Sequence, residues 1–440
     1  MAAGVVLWWD SASAAELPGQ KTHVMACPFD QPSADLGFDP TRALVAAQSS
    51  DDDDDSDDDD DDDDDDSSSN DDSAVASFYS PAQGCLFVSG TVAAGVTLQR
   101  GFGSAYANPG NRGWFSPNTV SGEIDITHVA KTGMGDMVTN IGLNGSGGTD
   151  AGGSNATTFS VTRASVSVGP WLAGLDSSFF DTWTGDPFSF AALTPVATTS
   201  LVGVKYDATD TSTFSFSIES PAPMRVARPA TFSAMSVPDV IGRYRWSNGV
   251  LDVVATAAAH RVDFWQDVAQ TQAAHDWGYA AKIYAKWNIP TEADGTYVLG
   301  QFTTGVRTPA YLGITADSGR RSRFQLSFPD TLTAKHFEHG HGWSADLVGS
   351  YAINSKWQTS AFISYLDYRW FSVQSLGAEG LAHVKAWRAA WNVAYQPINN
   401  LTIAAEAGVG SQKSNKVGGL IAPVANGTLY TGTLTLSRTF

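Results

Sequence analysis

The residue types best suited to chemistry are concentrated in one short stretch, His336-Phe-Glu-His339-Gly-His341. Three imidazoles and the Glu338 carboxylate within six residues form a donor set that a divalent transition metal accepts. The stretch lies in a long connection between candidate strands, however, and no supporting carboxylate accompanies it. A solvated loop is therefore the better interpretation, and we predict no metal site.

An acidic tract is the second chemical candidate, since 17 aspartates lie between residues 51 and 72, among serines. It lacks the ordered Asp, Gly and Glu spacing of an EF-hand loop, so it can attract Ca²⁺ only weakly and diffusely. Such a run repels itself and has nothing to bury, which predicts disorder over residues 46–84. Without the tract, 29 acidic residues face 26 Lys and Arg, so the rest of the chain is nearly neutral.

Sequence signatures of catalysis are missing from the chain. There is no G-x-S-x-G elbow and no phosphate-binding P-loop. Two cysteines exclude a Cys-ligated zinc domain, and neither half carries the basic footprint of a nucleic-acid binder. We therefore predict neither an enzyme, nor a cofactor, nor a nucleic-acid partner.

From Cys85 onward, short segments alternate apolar and polar residues, which places each type on its own face of a β-strand. In the first segment Leu86, Val88 and Val92 share one face, and Ser89 and Thr91 share the other. Counting in this way predicts 16 strands, at residues 85–98, 120–131, 136–144, 158–168, 171–176, 200–208, 213–219, 239–246, 250–260, 277–289, 296–304, 342–351, 357–367, 384–396, 400–409 and 428–440.

The connections between these segments alternate between tight turns and long loops, which is typical of an outer-membrane barrel. No apolar run reaches 18 residues, so no transmembrane helix is expected. A soluble β-sandwich also alternates, but full charges on the polar face and Trp or Tyr near strand ends favour a wet lumen and aromatic girdles. We predict an all-β fold, a 16-stranded antiparallel transmembrane β-barrel over residues 85–440.

The two ends of the chain carry export signals. Residues 2–9 are apolar, and Ala12-Ser13-Ala14 has the A-x-A form of a cleavage site, so residues 1–14 are predicted to be a signal peptide. An ordinary apolar N-terminus is the alternative. Residues 15–84 then form a periplasmic segment that contains the acidic tract. The last strand places Tyr430, Leu434, Leu436 and Phe440 on one face, and this terminal Phe resembles the signal read by the barrel-assembly machinery.

Seven stretches spread over most of the chain have the order and spacing of one known family. They are Ala15-Glu-Leu-Pro, Gly84-Cys-Leu-Phe-Val-Ser-Gly, Arg163-Ala-Ser-Val-Ser-Val, Ser177-Ser-Phe-Phe-Asp181, Pro238-Asp-Val-Ile-Gly-Arg-Tyr-Arg-Trp, Gly278-Tyr-Ala-Ala-Lys-Ile-Tyr-Ala-Lys-Trp-Asn-Ile-Pro and Leu436-Ser-Arg-Thr-Phe. In these stretches the chain resembles the alphaproteobacterial, rhizobial-type trimeric outer-membrane porins. Residues 30–82 depart from the family, in which a much shorter segment without an aspartate tract separates the two cysteines.

The resemblance implies a homotrimer in the Gram-negative outer membrane that passes small hydrophilic solutes and ions by passive diffusion. Its partners are then outer-membrane lipid, lipopolysaccharide and the barrel-assembly machinery. The family's paired cysteines imply a disulfide between Cys27 and Cys85. A substrate-specific channel and a non-transporting surface barrel or adhesin stay open as alternatives.

The resemblance also implies a third loop folded into the lumen, here residues 177–199. Asp181 and Asp186 on this loop, with Asp176 just before it, are predicted to form the constriction. Selectivity in such pores comes from pore size and rings of charged side chains. Strand parity predicts a set of inward-facing, pore-lining charges: Glu123, Asp125, Arg163, Lys205, Arg243, Arg245, Lys282, Lys286, Arg388 and Glu406, with Glu219, Asp252 and Asp346 on the same faces.

Overall fold

A computed structural model describes residues 76–80, 84–103, 116, 118–149, 155–223, 237–265, 273–291, 295–314, 340–373, 379–414 and 426–440. Five features considered above lie outside these residues: the predicted signal peptide, Cys27, the acidic tract, Glu338, and the imidazoles of His336 and His339. Disorder of the tract, cleavage of the signal peptide and the disulfide therefore stay predictions.

The described residues form 17 strands. They are β1 (Ala76–Ser80), β2 (Gly84–Gly103), β3 (Asn118–Thr132), β4 (Gly135–Thr149), β5 (Asn155–Val168), β6 (Trp171–Ser177), β7 (Thr198–Thr209), β8 (Ser212–Glu219), β9 (Asp239–Ser247), β10 (Leu251–Trp265), β11 (Ala273–Asn288), β12 (Tyr297–Val306), β13 (His341–Asn354), β14 (Trp357–Val373), β15 (Glu379–Ile398), β16 (Leu401–Ser414) and β17 (Gly427–Thr439).

Strands β2 to β17 close into one antiparallel barrel. Each pairs with its neighbours along the chain, and β17 pairs with β2 from Gly427 opposite Gly103 to Thr439 opposite Thr91. These 16 strands overlap all 16 predicted segments, so the predicted fold is confirmed. In the described ranges no helix is long and apolar enough to cross a membrane.

Side-chain alternation sorts the barrel wall into two faces, as expected for strands with one apolar side. The outward positions are large and apolar, for example Val92 and Val96 on β2, and Trp387 and Trp391 on β15. The residues between them are mostly polar or small and face the lumen. The barrel thus has an apolar exterior around a polar interior.

Tight turns lie at one end of the barrel and longer connections at the other, as predicted. Three connections expected to be long are short, however, at residues 150–154, 266–272 and 374–378. The strands beside them run farther than their alternating cores, because residues outside the apolar belt still pair through the backbone.

Strand β1 corrects the expectation of disorder over residues 46–84. Ala76 lies opposite Val88 and Ser80 opposite Gly84, so β1 pairs with the start of β2. Two residues farther along β2, the backbone of Phe440 exchanges hydrogen bonds of 3.0 and 2.9 Å with Gly90. β1 therefore continues the line of β17 beyond the C-terminal residue, at the tight-turn end of the barrel.

Candidate functional site: a loop across the lumen

The connection between β6 and β7, residues 178–197, folds into the barrel and is called the lumen loop. Phe180 in this loop is completely buried, and Phe179 nearly so. The ring of Phe188 lies 4.7 Å from the ring of Phe362 on β14, centroid to centroid. Since β14 is eight strands away from β6 in a ring of 16, the lumen loop crosses the barrel to the opposite wall.

Two wall carboxylates bind the backbone of the lumen loop. Glu219 Oε1 on β8 accepts hydrogen bonds from the Phe179 amide at 2.8 Å and from the Ser217 hydroxyl at 2.6 Å. On the other side Glu406 on β16 accepts from the amides of Ser189 and Phe190, at 2.8 and 2.7 Å. Charge-assisted bonds to buried amides are strong, so these carboxylates fix both sides of the loop.

Two basic wall residues bind carbonyl groups of the lumen loop. Arg243 Nη1 on β9 donates to the Asp181 carbonyl at 3.2 Å. Arg388 Nη1 on β15 donates to the Ala191 carbonyl at 2.7 Å. These guanidinium groups therefore satisfy backbone acceptors that a loop inside the barrel cannot pair within a sheet.

The amides of Asn392 and Gln301 complete the attachment. Asn392 Nδ2 on β15 donates to the Pro187 carbonyl at 2.9 Å. Gln301 on β12 accepts from the Thr182 hydroxyl at 2.7 Å and donates to Thr194 Oγ1 at 2.6 Å. Its amide nitrogen also contacts Asp346 Oδ2 on β13, at 2.8 Å. Sequence reasoning missed both amides, because nothing in an alternating strand distinguishes a loop-binding amide from a solvated one.

Apolar contacts fill the space beneath the lumen loop. The rings of Trp183 and Phe188 pack edge-on against Phe362. On the other side of the loop Phe180 meets the ring of Tyr311 at 4.7 Å, and the Lys282 ammonium lies 4.5 Å over the Phe180 ring. The loop is thus held by packing as well as by hydrogen bonds.

A second inward connection, residues 307–314, supports the first. Tyr311 donates its hydroxyl to Asp239 Oδ2 at 2.7 Å, and the other oxygen of Asp239 lies 2.7 Å from His260 Nδ1. Burial, together with the Asp239 carboxylate, raises the pKa of Tyr311 well above its usual value, so the hydroxyl stays a donor. Gly313 has φ of 87°, and a Cβ there would lie 2.5 Å from the Leu193 carbonyl carbon, so only glycine permits the two connections to touch.

The predicted constriction aspartates are placed differently from the expectation. Asp176 belongs to β6 and accepts from Arg163 Nε at 3.2 Å and from Ser165 Oγ at 2.7 Å. Asp181 Oδ2 accepts from the Ala197 amide at 2.8 Å and so ties the two ends of the lumen loop together. Asp176 and Asp181 are both only 6% exposed, which makes them holding groups of the loop and not charges presented to solute.

Asp186, the third predicted constriction residue, is half-buried. Its Oδ2 accepts from the Thr184 hydroxyl at 3.1 Å, and its backbone carbonyl accepts from Trp183 Nε1 at 2.7 Å. Of the three aspartates it is the one with the most exposed side chain.

The predicted pore-lining residues all lie on inward-facing positions, but they divide by exposure. Lys205, Lys282 and Glu406 are buried, so the prediction that they line the pore is wrong for these three. Parity gives the direction of a side chain and cannot show that a distant loop covers it. The predicted residues that stay partly exposed are Glu123, Asp125, Arg163, Arg243, Arg245, Lys286 and Arg388.

The inner faces of β17, β2 and β3 are here called the open wall. Inward residues such as Ala93, Ser121 and Thr433 are half-exposed there. Glu123 and Asp125 also belong to this wall. Strand β11, which carries Lys286, is eight strands from β3, so Lys286 lies on the opposite side of the barrel from Glu123 and Asp125.

The chain-terminal features are also placed. Tyr430, Leu434, Leu436 and Phe440 all lie outward and exposed. A Cβ on Gly90 would be 2.7 Å from the Phe440 ring, so the absence of a side chain at Gly90 makes room for the terminal aromatic ring. Cys85 is buried at the start of β2.

For the metal hypothesis, His341 is exposed at the start of β13. The described part of the chain contains no group of three or more metal-ligating side chains.

A closed 16-stranded barrel with a loop folded across its lumen defines a porin-type channel. A family model described as the porin subfamily matches residues 74–429, which is most of the chain. The chain belongs to this family. It is a passive-diffusion channel of the Gram-negative outer membrane.

Two solved structures show the same fold at low identity, and a third is reported as a weaker similarity. The outer membrane channel DcaP of Acinetobacter baumannii is 16% identical, with a TM-score of 0.54, over 83% of this chain and all of that chain. The OmpF of Salmonella typhi, solved in complex with daunomycin, is 10% identical with a TM-score of 0.50, again over 83% of this chain and all of that chain. An anion-selective porin from Comamonas acidovorans is 11% identical with a TM-score of 0.49, covering 81% of this chain and 99% of that one. A search of curated proteins finds no match.

Proposed function

We propose that small hydrophilic solutes and ions cross the membrane between the lumen loop and the open wall. The observation that carries this proposal is the attachment of the lumen loop. Glu219 and Glu406 hold its backbone, and Phe180 and Phe188 are buried beneath it. A loop fixed in this way sets one permanent opening beside the open wall, whose inner faces are half-exposed over most of their length.

The charges along this passage set a transverse field. Glu123 and Asp125 on β3 supply the negative side, in place of the loop aspartates first expected. Arg243, Lys286 and Arg388 supply the positive side from β9, β11 and β15. Arg245, which forms a paired contact of 3.0 and 3.2 Å with Asp252, contributes less net charge. A small solute then orients its dipole between the two sides as it passes.

Single-channel conductance in a planar bilayer, combined with swelling of loaded liposomes, tests the function. We expect open steps that scale with salt concentration, and swelling rates that fall smoothly with solute mass. Saturation of the current by one solute class points to the substrate-specific channel instead. A folded protein with no conductance points to the non-transporting surface barrel or adhesin, and contradicts the proposal.

The homotrimer implied by the resemblance has support in the distribution of aromatic residues. Outward Trp and Tyr occur along most of the barrel, where headgroups meet the wall, for example Trp171, Trp287 and Trp391. Strands β3, β4 and β16 contain no Trp, Tyr or Phe, and of these β3 and β4 are adjacent and form one continuous face. We propose that this face meets neighbouring subunits and not lipid. Val120→Arg on β3 then dissociates the oligomer in native mass spectrometry, whereas Val202→Arg on β7 leaves it intact.

Orientation completes the proposal. The tight turns face the periplasm, with β1, the Cys27–Cys85 disulfide and the acidic tract at that mouth, and the exposed C-terminal face serves the assembly machinery. We also propose that, within the porin family, this chain is of the alphaproteobacterial, rhizobial type. Protease added to intact cells cuts only the long connections, such as 315–339. Cleavage at Asn399–Asn400 in intact cells contradicts the orientation.

A further inference from the structure

An outward-facing group of basic residues stands out at the long-connection end of β14, β15 and β16. It consists of Arg369, His383, Lys385 and Lys413, and is called the outer basic cluster. Register places Arg369 opposite His383, and Lys385 opposite Lys413, so the four side chains occupy two adjacent rows of one sheet face. Parity puts them on the same face as Trp387 and Trp391, which are exposed to the membrane side.

One buried carboxylate contacts three of these basic side chains. Asp367 Oδ1 lies 2.7 Å from His383 Nε2 and 3.5 Å from Arg369 Nε, and its Oδ2 lies 3.6 Å from Lys385 Nζ. The Asp367 side chain is 10% exposed, whereas Arg369 and Lys385 are about half exposed, at 49% and 52%. The single negative charge is therefore covered while the positive groups face outward, and the cluster keeps a net positive charge.

The rows below the cluster show where it lies relative to the membrane. Tyr365 and Trp387 form the next row toward the middle of the barrel. Trp343, in the same row as Asp367, stacks on Tyr365 at a centroid distance of 5.1 Å. Aromatic girdles mark the level of the lipid headgroups in such barrels. The cluster thus sits at headgroup height, immediately beyond the apolar belt.

We propose that the outer basic cluster is a binding site for the phosphate groups of an anionic glycolipid of the outer leaflet, the lipid A part of lipopolysaccharide. The inference rests on the outer-membrane function and the orientation proposed above. Guanidinium and ammonium groups are the usual protein partners of phosphate, and clustered Lys and Arg beside a membrane bind anionic headgroups. Asp367 is the acidic residue of these two rows, and its carboxylate is covered, so the basic groups present a positive face to the ligand.

The test uses the full-length protein in detergent and measures binding of lipid A bisphosphate by native mass spectrometry. The variant Arg369→Gln, Lys385→Gln, Lys413→Gln is expected to bind about 100-fold more weakly, since each basic group at a membrane surface contributes a factor of about five. The matched control is Lys131→Gln, Lys356→Gln, Arg438→Gln, which removes three exposed charges at the tight-turn end. This control is expected to bind like the unmodified protein.

Two further binding experiments distinguish lipid A phosphate from free inorganic phosphate as the ligand. Dephosphorylated lipid A should bind the unmodified protein as weakly as the bisphosphate binds the triple variant. Displacement of the lipid by millimolar inorganic phosphate assigns the cluster to free phosphate and overturns the proposal. Equal loss in the control variant, or dissociation of the oligomer by the cluster variant, overturns it as well.

Channel conductance is measured separately from lipid A binding, so that loss of folding or of channel function is not mistaken for loss of the lipid site. Conductance of the cluster variant should equal that of the unmodified protein, so failure of the channel proposal is distinguishable from failure of this one. If the triple variant does not fold, the single variants Lys385→Gln and Lys413→Gln replace it, each with an expected five-fold loss. Unchanged lipid A binding in both single variants contradicts the proposal.

Discussion

The inner faces of β11 to β15 and the open wall of β17, β2 and β3 are built from the same alternating strands, yet their surroundings differ. Leu299, Val348 and Leu366 on the first surface are almost completely buried under the lumen loop and its supporting connection. Ala93, Ser121 and Thr433 on the second are half-exposed. The inner faces of β11 to β15 therefore pack as a protein core inside the barrel, whereas the open wall is accessible to water.

The contrast explains why the same residue type has different roles on the two surfaces. Glu406 and Glu123 are both glutamates on inward positions, but the Glu406 carboxylate accepts hydrogen bonds from two backbone amides of the lumen loop. Glu123 lies on the open wall, where its charge acts on whatever passes. The position of the loop, more than the sequence of the wall, decides which charges a solute meets.

The largest expected effect comes from removing the core of the lumen loop. Phe180→Ala deletes a fully buried ring that packs on Tyr311 and under the Lys282 ammonium, at a cost of about 3–5 kcal/mol. The loop is then expected to leave its seat, so that single-channel conductance rises and becomes noisy. Phe159→Ala, on an exposed outer position, is the control and should leave conductance unchanged. Unaltered conductance of a folded Phe180→Ala protein contradicts the fixed loop.

A matched pair of glutamate substitutions separates the two surfaces. Glu406→Gln weakens the bonds to Ser189 and Phe190, at a cost of about 1–3 kcal/mol, and should raise the largest solute admitted in liposome swelling. Glu123→Gln should leave that limit unchanged and shift the reversal potential toward anions. The reverse assignment of the two effects contradicts the division of the lumen.

The smallest expected effect concerns the acidic tract. Its last aspartate, Asp72, precedes Ala76 by only four residues, and β1 lies at the tight-turn end, so we expect the tract near that mouth. We expect its charge to favour cations within about 8 Å at physiological salt. Deleting residues 50–73 should make the reversal potential less cation-selective at low salt, and the difference should vanish at high salt. An unchanged potential at low salt shows that the tract has no role in permeation.

The barrel could be predicted from the sequence because period-two alternation is a local property of each strand. β1 could not, since five residues without clear alternation become a strand only through pairing with β2. Glu219 and Glu406 were assigned inward correctly, but their binding to the lumen loop joins residues 40 and 217 positions apart. The Tyr311, Asp239 and His260 group was missed for the same reason, because its members meet only after closure.

Accessibility of paired cysteine substitutions tests the central claim most directly. Ser121→Cys lies on the open wall, and Ser360→Cys, at a position 3% exposed, lies on β14 two residues from Phe362, whose ring packs against the lumen loop. A water-soluble cationic thiol reagent added during single-channel recording should lower the conductance of Ser121→Cys and leave that of Ser360→Cys unchanged, with the unmodified protein as the background for Cys27 and Cys85. Reaction at Ser360→Cys with none at Ser121→Cys would show that the passage runs on the other side of the loop.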